Sequence, residues 1–263
     1  AAGLNALGAA TSGDDNVAIG QLALGAGVTT GASNIAVGKN AMDALTSGAC
    51  NIAIGASALS AATDNVDNIA IGRSALAVSD GDGDDNVAIG NAAMGGADVS
   101  GCANFAAGKN AMDALTTGQN NIAIGKDSLG ASTTGCHNVA LGKEAMGVGD
   151  VSGNNNIAIG ANTADALTSG AYNIAIGEIA YGAAETGTYN TAIGYNAIGT
   201  GVTTGQMNVA MGVSSLAALT SGNCNVAIGR SAGNALTTGC HNVGIGGAAL
   251  GGSLGVAGKI VGI

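Results

Sequence analysis

The sequence predicts an all-β protein, a parallel β-solenoid of about fifteen rungs that are each 17 or 18 residues long. The first observation is a five-residue motif that reads Asn-Ile-Ala-Ile-Gly at residues 51–55 and again at residues 68–72. Its asparagine recurs every 17 or 18 residues, and a glycine follows four positions later in each copy. A fixed short period of this kind is typical of repeat architectures. The asparagines are Asn16, Asn34, Asn51, Asn68, Asn86, Asn104, Asn121, Asn138, Asn156, Asn173, Asn190, Asn208, Asn225 and Asn242.

The second observation is alternation within the motif, whose five positions we number 1 to 5. Positions 2 and 4 are Ile or Val in most copies, and position 3 is Ala in every copy except at Gly244. Alternation with a period of two indicates a short β-strand with one apolar face. One such strand cannot bury that face alone, but stacked copies can pair in parallel and bury it together. We therefore expect positions 2 and 4 to face the interior and the Ala column to lie on the outer face.

One copy of the motif departs from the rule in a compensating way. Phe105 occupies position 2 where Ile or Val is usual, and Ala107 occupies position 4 of the same copy. A large residue beside a small one keeps the filled volume nearly constant, as close packing requires. We therefore expect both positions to face the same packed space.

The remainder of each rung carries turn signals and a second apolar pair. The strand ends at glycine, which can adopt a positive φ. Three residues later comes a small residue followed by a bulky one, as in Ala41-Met42 and Ala58-Leu59. We expect a second, weaker strand there. A polar turn such as Thr116-Thr117-Gly118 then returns the chain to the next rung.

Composition restricts the function classes. Repetition without a linker predicts a single continuous domain over residues 1–263, and the absence of proline suits a chain that pairs throughout. A net charge of −10 disfavours nucleic acid and anionic membranes as partners. No apolar run reaches the roughly 18 residues of a membrane span. No catalytic triad, carboxylate pair or phosphate-binding loop is recognisable, so we do not expect an enzyme.

An acidic loop at residues 80–85 is the candidate metal site. It has Asp at alternate positions, as calcium loops do, although it lacks the other features of an EF-hand. In a solenoid Asp85 stacks on Asp67, and Asp82 stacks on Asp64. Like charges at strand spacing repel, and a divalent cation would relieve the repulsion. The candidate calcium ligands are therefore Asp67, Asp82 and Asp85, and a solvated acidic loop is the simpler alternative.

Two further columns suggest alternative ligands. Tyr172 and Tyr189 occupy the same position on consecutive rungs, which predicts a stacked pair or, alternatively, a platform for a glycan. Threonines recur in line and would suit an ice-binding face, although Val99, Val151 and Glu185 interrupt the column. The threonines are Thr11, Thr29, Thr46, Thr63, Thr116 and Thr133.

The Ala-Ile-Gly ending, with a small residue three positions later, resembles the head repeats of trimeric autotransporter adhesins of the YadA type. It is also similar to the Asn-x-Ala-Ile-Gly and Thr-Thr-Gly repeats of phage tail-fibre and other surface-fibre proteins. The resemblance covers nearly the whole chain, although the rung here is longer and Asn stands where the adhesin repeat has Ser. It implies a left-handed parallel β-roll, usually trimeric, that serves display and adhesion.

These observations lead to a functional expectation. We expect a structural extracellular, cell-surface or virion fibre protein that self-associates laterally or head to tail and has an adhesive role. Residues 1–3 align with the last three positions of a strand, and residues 261–263 align with residues 243–245, so each end suits head-to-tail pairing into a filament. A surface receptor or glycan is a further expected partner. The alternatives are an ice-binding solenoid, a receptor-binding shaft of a phage tail fibre and, without the required acid pair, a sugar-cleaving tail spike.

Overall fold

A computed structural model describes residues 1–8, 12–25, 28–79, 82–252 and 260–262 of the chain. They fall into two compact units, Ala1–Thr134 and Gly135–Ile263, each made of short parallel strands that follow one another in chain order. No described residue is helical, so this part of the chain contains no helix that could cross a membrane. The predicted all-β parallel solenoid with rungs of about 17 residues is confirmed. The single continuous domain and the left hand of the roll stay predictions.

All the strands are short, and all except the last, which has two residues and lies beyond the fourteen motif copies, coincide with positions 2 to 4 of the motif. In the first unit the strands are β1 (Val17–Ile19), β2 (Ile35–Val37), β3 (Ile52–Ile54), β4 (Ile69–Ile71), β5 (Val87–Ile89), β6 (Phe105–Ala107) and β7 (Ile122–Ile124). In the second unit they are β8 (Val139–Leu141), β9 (Ile157–Ile159), β10 (Ile174–Ile176), β11 (Thr191–Ile193), β12 (Val209–Met211), β13 (Val226–Ile228), β14 (Val243–Ile245) and β15 (Val261–Gly262).

The strands of each unit pair in parallel and in register with the next copy of the motif. Ala18 lies beside Ala36, for example, and Phe105 lies beside Ile122. The alignment of both chain ends is also confirmed for the described residues, because Ala2 pairs with Ile19 and Val261 pairs with Val243. Each motif position therefore forms a column that runs from rung to rung.

The predicted interior and exterior of the strand are reversed. Position 3 is buried in β1–β14, whereas positions 2 and 4 are exposed or half-buried: Ala123 is 0% exposed, and its neighbours Ile122 and Ile124 are 41% and 43% exposed. The expectation that the Ile and Val columns fill the core is therefore wrong, and so is the expectation of an outer Ala column. Phe105 and Ala107 do share one face, as predicted, but that face is the outer one.

The interior is narrow, which explains the reversal. Alternation places positions 1 and 3 on the same side of the strand, so the Asn column and the Ala column point inward together. The rest of the core consists of the Ala and the bulky residue that follow the strand-ending glycine, such as Ala41 and Met42, and of Leu45 in the next turn. The rung has room for one bulky layer, and that layer comes from the turn and not from the strand.

The segment after the strand is a turn and not the expected second strand. The φ angle is positive at every second residue of this segment: Asn40 and Met42 have φ values of 56° and 49°. Leu24 N–H donates to Ala41 O at 3.0 Å, and Met42 N–H donates to Ala58 O at 3.0 Å, so the turns of neighbouring rungs still bond to each other. Left-handed backbone at ordinary L-residues costs about 1–2 kcal/mol per residue, and the repeated bonds between rungs offset this cost.

A ladder of buried asparagines joins the rungs on the inner side. Asn104 Oδ1 accepts hydrogen bonds from Asn121 N–H at 3.0 Å and from Asn121 Nδ2 at 3.1 Å. Asn104 Nδ2 donates to Gly118 O at 2.9 Å, in the turn that precedes Asn121. The second unit repeats this pattern, for example from Asn208 to Asn225. The ladder thus satisfies backbone groups that the narrow core would otherwise leave unpaired.

The reversed orientation makes a prediction at two adjacent residues. We expect Ala88→Arg to lower the free energy of unfolding by about 3 kcal/mol or more, because it overpacks the core and buries an unpaired charge. We expect Ile89→Arg to change it by less than about 1 kcal/mol, because the Ile89 side chain already contacts solvent. Thermal unfolding followed by circular dichroism measures both. Equal losses from the two variants would contradict the orientation of the strand.

Candidate functional site

The outward side chains of positions 2 and 4 form what we call the aliphatic face of each unit. Parallel pairing repeats these side chains about every 4.8 Å along the stack, in two columns about 7 Å apart along the strand. Many of them are more than one-third exposed. These are Val17, Ile19, Ile35, Ile54, Ile89, Ile122 and Ile124 in the first unit, and Ile157, Ile159, Ile174, Ile176, Met211, Ile228 and Ile245 in the second.

The aliphatic face is large and uncharged. In the first unit it spans seven rungs, which gives a strip about 30 Å long and, with its side chains, about 12 Å wide. No charged residue occupies position 2 or 4 of β1–β14, and Thr191 is the only polar residue at these positions. The largest continuous apolar patch of a typical soluble monomer covers about 300–600 Å² and is often functional, so the face of about 400 Å² in one unit is the candidate binding surface.

The two edges of the aliphatic face carry opposite charges. The residue that follows the strand-ending glycine is basic in six rungs, and these six account for all but one of the seven Lys and Arg residues of the chain. They are Lys39, Arg73, Lys109, Lys126, Lys143 and Arg230. The residue that precedes the ladder asparagine is acidic and exposed at Asp15, Asp67 and Asp85. In the first unit the strands therefore run from an acidic edge to a basic edge.

The predicted calcium ligands lie on this acidic edge and on the adjoining loop. Asp67, Asp82 and Asp85 are all exposed, whereas Asp80 lies outside the described residues. The register of β4 and β5 places Asp67 and Asp85 in one column, as predicted. Among the described residues no group of three or more His, Cys, Asp or Glu side chains could hold a metal ion. The calcium site stays a prediction.

Chelation tests the calcium prediction. Asp84, between the candidate ligands, accepts a hydrogen bond from Val66 N–H at 2.7 Å and so already has a protein partner. If Asp67, Asp82 and Asp85 bind calcium, a chelator should lower the melting temperature near neutral pH, because a ligand that binds only the folded state stabilises it. The variant Asp67→Asn should abolish the shift. A melting temperature that responds to neither chelator nor added calcium would remove the site.

The aromatic and threonine columns are placed as the register predicts. The rings of Tyr172 and Tyr189 stack with centroids 4.9 Å apart and planes 3° apart, which confirms the stacked pair. Thr29 is buried, and the Thr46 and Thr116 hydroxyls donate to the carbonyl oxygens of the following rung at 2.8 and 3.0 Å. These hydroxyls stabilise the stack, which leaves the ice-binding alternative with little support. Thr11 lies outside the described residues.

Three aspartates that directly follow a buried turn residue (Met42, Met112 or Ala164) sit in a partly desolvated position. Burial raises the pKa of Asp43, Asp113 and Asp165 above the ordinary value for a carboxyl. One oxygen of Asp113, Oδ1, has no hydrogen-bond partner. By contrast, a hydrogen bond from Lys126 holds the pKa of Asp127 below its ordinary value, with the two charged groups 2.9 Å apart. The first unit thus contains carboxyl groups whose pKa is raised, such as Asp113, and one whose pKa is lowered, Asp127.

These opposite shifts predict opposite pH dependences. A raised pKa means that the folded state binds the proton more tightly, so the destabilisation by Asp113 is present at neutral pH and is relieved as the pH falls through its raised pKa. We expect Asp113→Asn to raise the melting temperature at pH 7 and to lose this advantage on acidification. Asp127 contributes stability above its ordinary pKa, which is lost as the pH falls. Asp127→Asn should therefore lower the melting temperature at pH 7. If both variants changed the melting temperature in the same direction, the opposite roles of Asp113 and Asp127 in stability would be contradicted.

Comparison with known proteins identifies no relative from which a function could be inferred. No protein-family model matches the chain, and no curated protein matches it either. The aliphatic face with its charged edges is the feature that sequence reasoning missed, because the alternating pattern was given the opposite orientation. The column of Lys and Arg directly after the strand-ending glycine was the available signal, since it shows which side of the rung meets water.

Proposed function

We propose that this chain is a structural, non-enzymatic subunit of an extracellular, cell-surface or virion fibre, and that it self-associates through its aliphatic face. The observation that carries the proposal is the outward exposure, in each unit, of two columns of side chains that are mostly Ile and Val. Burying such a face stabilises an assembly by roughly 25 cal/mol for each Å² of apolar surface removed from water. The resemblance of the repeat to those of surface-fibre proteins supports the location.

Matched substitutions on and off the face test the proposal. Ile54 on β3 and Val78 in a turn are both exposed to nearly the same extent, 41% and 42%. We expect the wild-type chain to form oligomers or filaments, seen by analytical ultracentrifugation and electron microscopy. Ile54→Lys should shift the distribution strongly toward the monomer, whereas Val78→Lys should not. A wild-type chain that stays monomeric up to high concentration, or equal effects from the two variants, would overturn the proposal.

The adhesive role is the second part of the proposal. It is supported by the resemblance to adhesin head repeats and by the exposed stacked pair Tyr172 and Tyr189. A glycan array and cell-binding measurements on the assembled protein test it. Loss of binding in Tyr172→Ala would assign the pair to a receptor or glycan. Binding that is absent from the wild-type protein would leave a fibre subunit without adhesive activity.

A further inference from the structure

We propose that two copies of this chain pair through the aliphatic face of the first unit about a two-fold axis parallel to the direction in which its rungs stack. The proposal rests on the proposed function, since it specifies the symmetry of self-association through the same face. This axis sets each rung opposite its counterpart and reverses the strand direction. Position 2 of one copy then lies over position 4 of the other, and the acidic edge of one copy lies over the basic edge of the other.

The rung of β6 supplies the first argument. Phe105 and Ala107 exchange bulk between the two columns of one rung, whereas the neighbouring rungs carry Ile or Val in both. A face that only meets water has no need to conserve volume, but a packed interface does. About the proposed axis the Phe105 ring lies over Ala107 of the second copy, twice by symmetry. The two side chains together fill the space of about 10 Å between stacked sheets that two aliphatic residues fill in the other rungs.

The rung of β4 supplies the second argument. Asp67 and Arg73 are both exposed and flank this one strand at opposite edges. With its amide oxygen turned toward Arg73, Asn91 accepts two hydrogen bonds of 3.0 Å from the Arg73 guanidinium. These bonds hold the guanidinium at the basic edge. The proposed axis brings Arg73 of one copy against Asp67 of the other, again twice. An axis parallel to the strands would instead set the acidic edges against each other, and like charges disfavour that arrangement.

The second unit shows the same matching in its own rungs. Met207 and Val213 flank β12 and are 54% and 46% exposed. Tyr189 and Tyr195 flank β11 and are exposed to a similar extent. In both rungs the two edges carry residues of one chemical character, so reversal of the strand direction sets apolar against apolar and aromatic against aromatic. This pattern is independent of the first unit and is compatible with the proposed axis, but edges of one character match in either strand direction and do not choose between the two axes.

The size of the surface suits a pair of chains. Two columns of the aliphatic face and the two edge columns, taken over the seven rungs of the first unit, comprise about 28 residues. A stable protein interface has about 20–30 residues and about 800 Å² on each side, so the edge columns must contribute about as much area as the aliphatic face itself. Identical chains also share the rung spacing of about 4.8 Å, so each rung can lie opposite its counterpart along the whole strip. A second copy of this chain therefore fits the surface in both size and period.

Two sets of reciprocal exchanges test the symmetry. Phe105→Ala leaves two cavities at the interface, and Ala107→Phe creates two clashes, so each should raise the dimer dissociation constant about tenfold or more. The double variant F105A/A107F restores one large and one small residue at each contact and should return within about threefold of the wild type. The charge variants Asp67→Arg and Arg73→Asp should each weaken pairing, and D67R/R73D should recover it. Sedimentation equilibrium measures all six variants, and circular dichroism confirms their fold.

The outcomes separate this proposal from the proposed function. Assembly that Ile54→Lys disrupts but that neither double variant rescues would overturn the two-fold axis and retain the fibre subunit. A wild-type chain that stays monomeric would overturn both. Rescue by both double variants supports the axis, and rescue by only one of them overturns it, because the two pairs are set opposite each other by the same rotation.

Discussion

Asn104→Ala is expected to lower the free energy of unfolding by about 2–6 kcal/mol, because it leaves two buried groups without partners at about 1–3 kcal/mol each. The orphaned groups are the N–H of Asn121, which donates to Asn104 Oδ1, and the carbonyl of Gly118, which accepts from Asn104 Nδ2. Asn104 is buried, so water cannot replace either bond without opening the rung. Chemical unfolding followed by circular dichroism measures the loss.

The control for this prediction is Asn120→Ala. Asn120 is exposed, so its replacement removes the same amide group without interrupting the ladder. Its own φ is 57°, in the left-handed region. We expect a cost of about 1 kcal/mol, from the left-handed backbone alone. If the two variants lost equal stability, the ladder would contribute little to the stacking of rungs.

Gly229→Ala is expected to destabilise the second unit by about 3 kcal/mol or more. Gly229 ends β13 with a φ of 129°, a conformation that is essentially restricted to glycine. A Cβ atom at this position would also lie 2.5 Å from Gly246 O in the next rung. The substitution therefore strains its own backbone and separates two rungs. Thermal unfolding of the purified variant measures the effect.

Gly247→Ala is the matched control in the same unit. A Cβ atom at Gly247 would meet no heavy atom within 4 Å, and its φ lies outside the left-handed range. We expect a change of less than about 0.5 kcal/mol, with either sign. A large loss at Gly247, or none at Gly229, would show that close approach between rungs does not require the strand-ending glycine.

The strained turn could not be recognised from residue types. Leu, Met, Ser and Ala are not residues that a sequence pattern assigns to left-handed backbone, yet Leu24, Met42 and Ala92 adopt it. The pattern of Ala followed by a bulky residue predicted a second strand, because apolar pairs in a short segment normally indicate one. In the folded chain the bonds between successive turns stabilise a conformation that no single turn would adopt alone.

For the turn glycines, the sequence predicted where the turns lie but not why glycine is required there. Polar segments such as Thr116-Thr117-Gly118, and Thr46-Ser47-Gly48 in an earlier rung, were correctly placed outside the strands, where the sequence predicted a turn that returns the chain to the next rung. A Cβ atom at Gly48 would collide with the carbonyl of Asn65, so close approach of the next rung is what requires glycine. The carbonyl of Gly48 in turn accepts a hydrogen bond from Asn34 Nδ2 at 2.9 Å. Such a requirement depends on a neighbour 17 residues away and leaves no local signal.

The sequence by itself determined the repeat, the parallel register and the identity of every strand. A period of 17 or 18 residues aligns equivalent positions in successive rungs, and alternation requires positions 2 and 4 to share one side of the strand. Only the tertiary structure decided which side is inside. Alternation is symmetric between the two faces, and the choice depends on the width of the closed rung. That width accommodates Ala18 and the hydrogen-bonded asparagines of the ladder but not a second bulky layer, so Val17 and Ile19 lie outside.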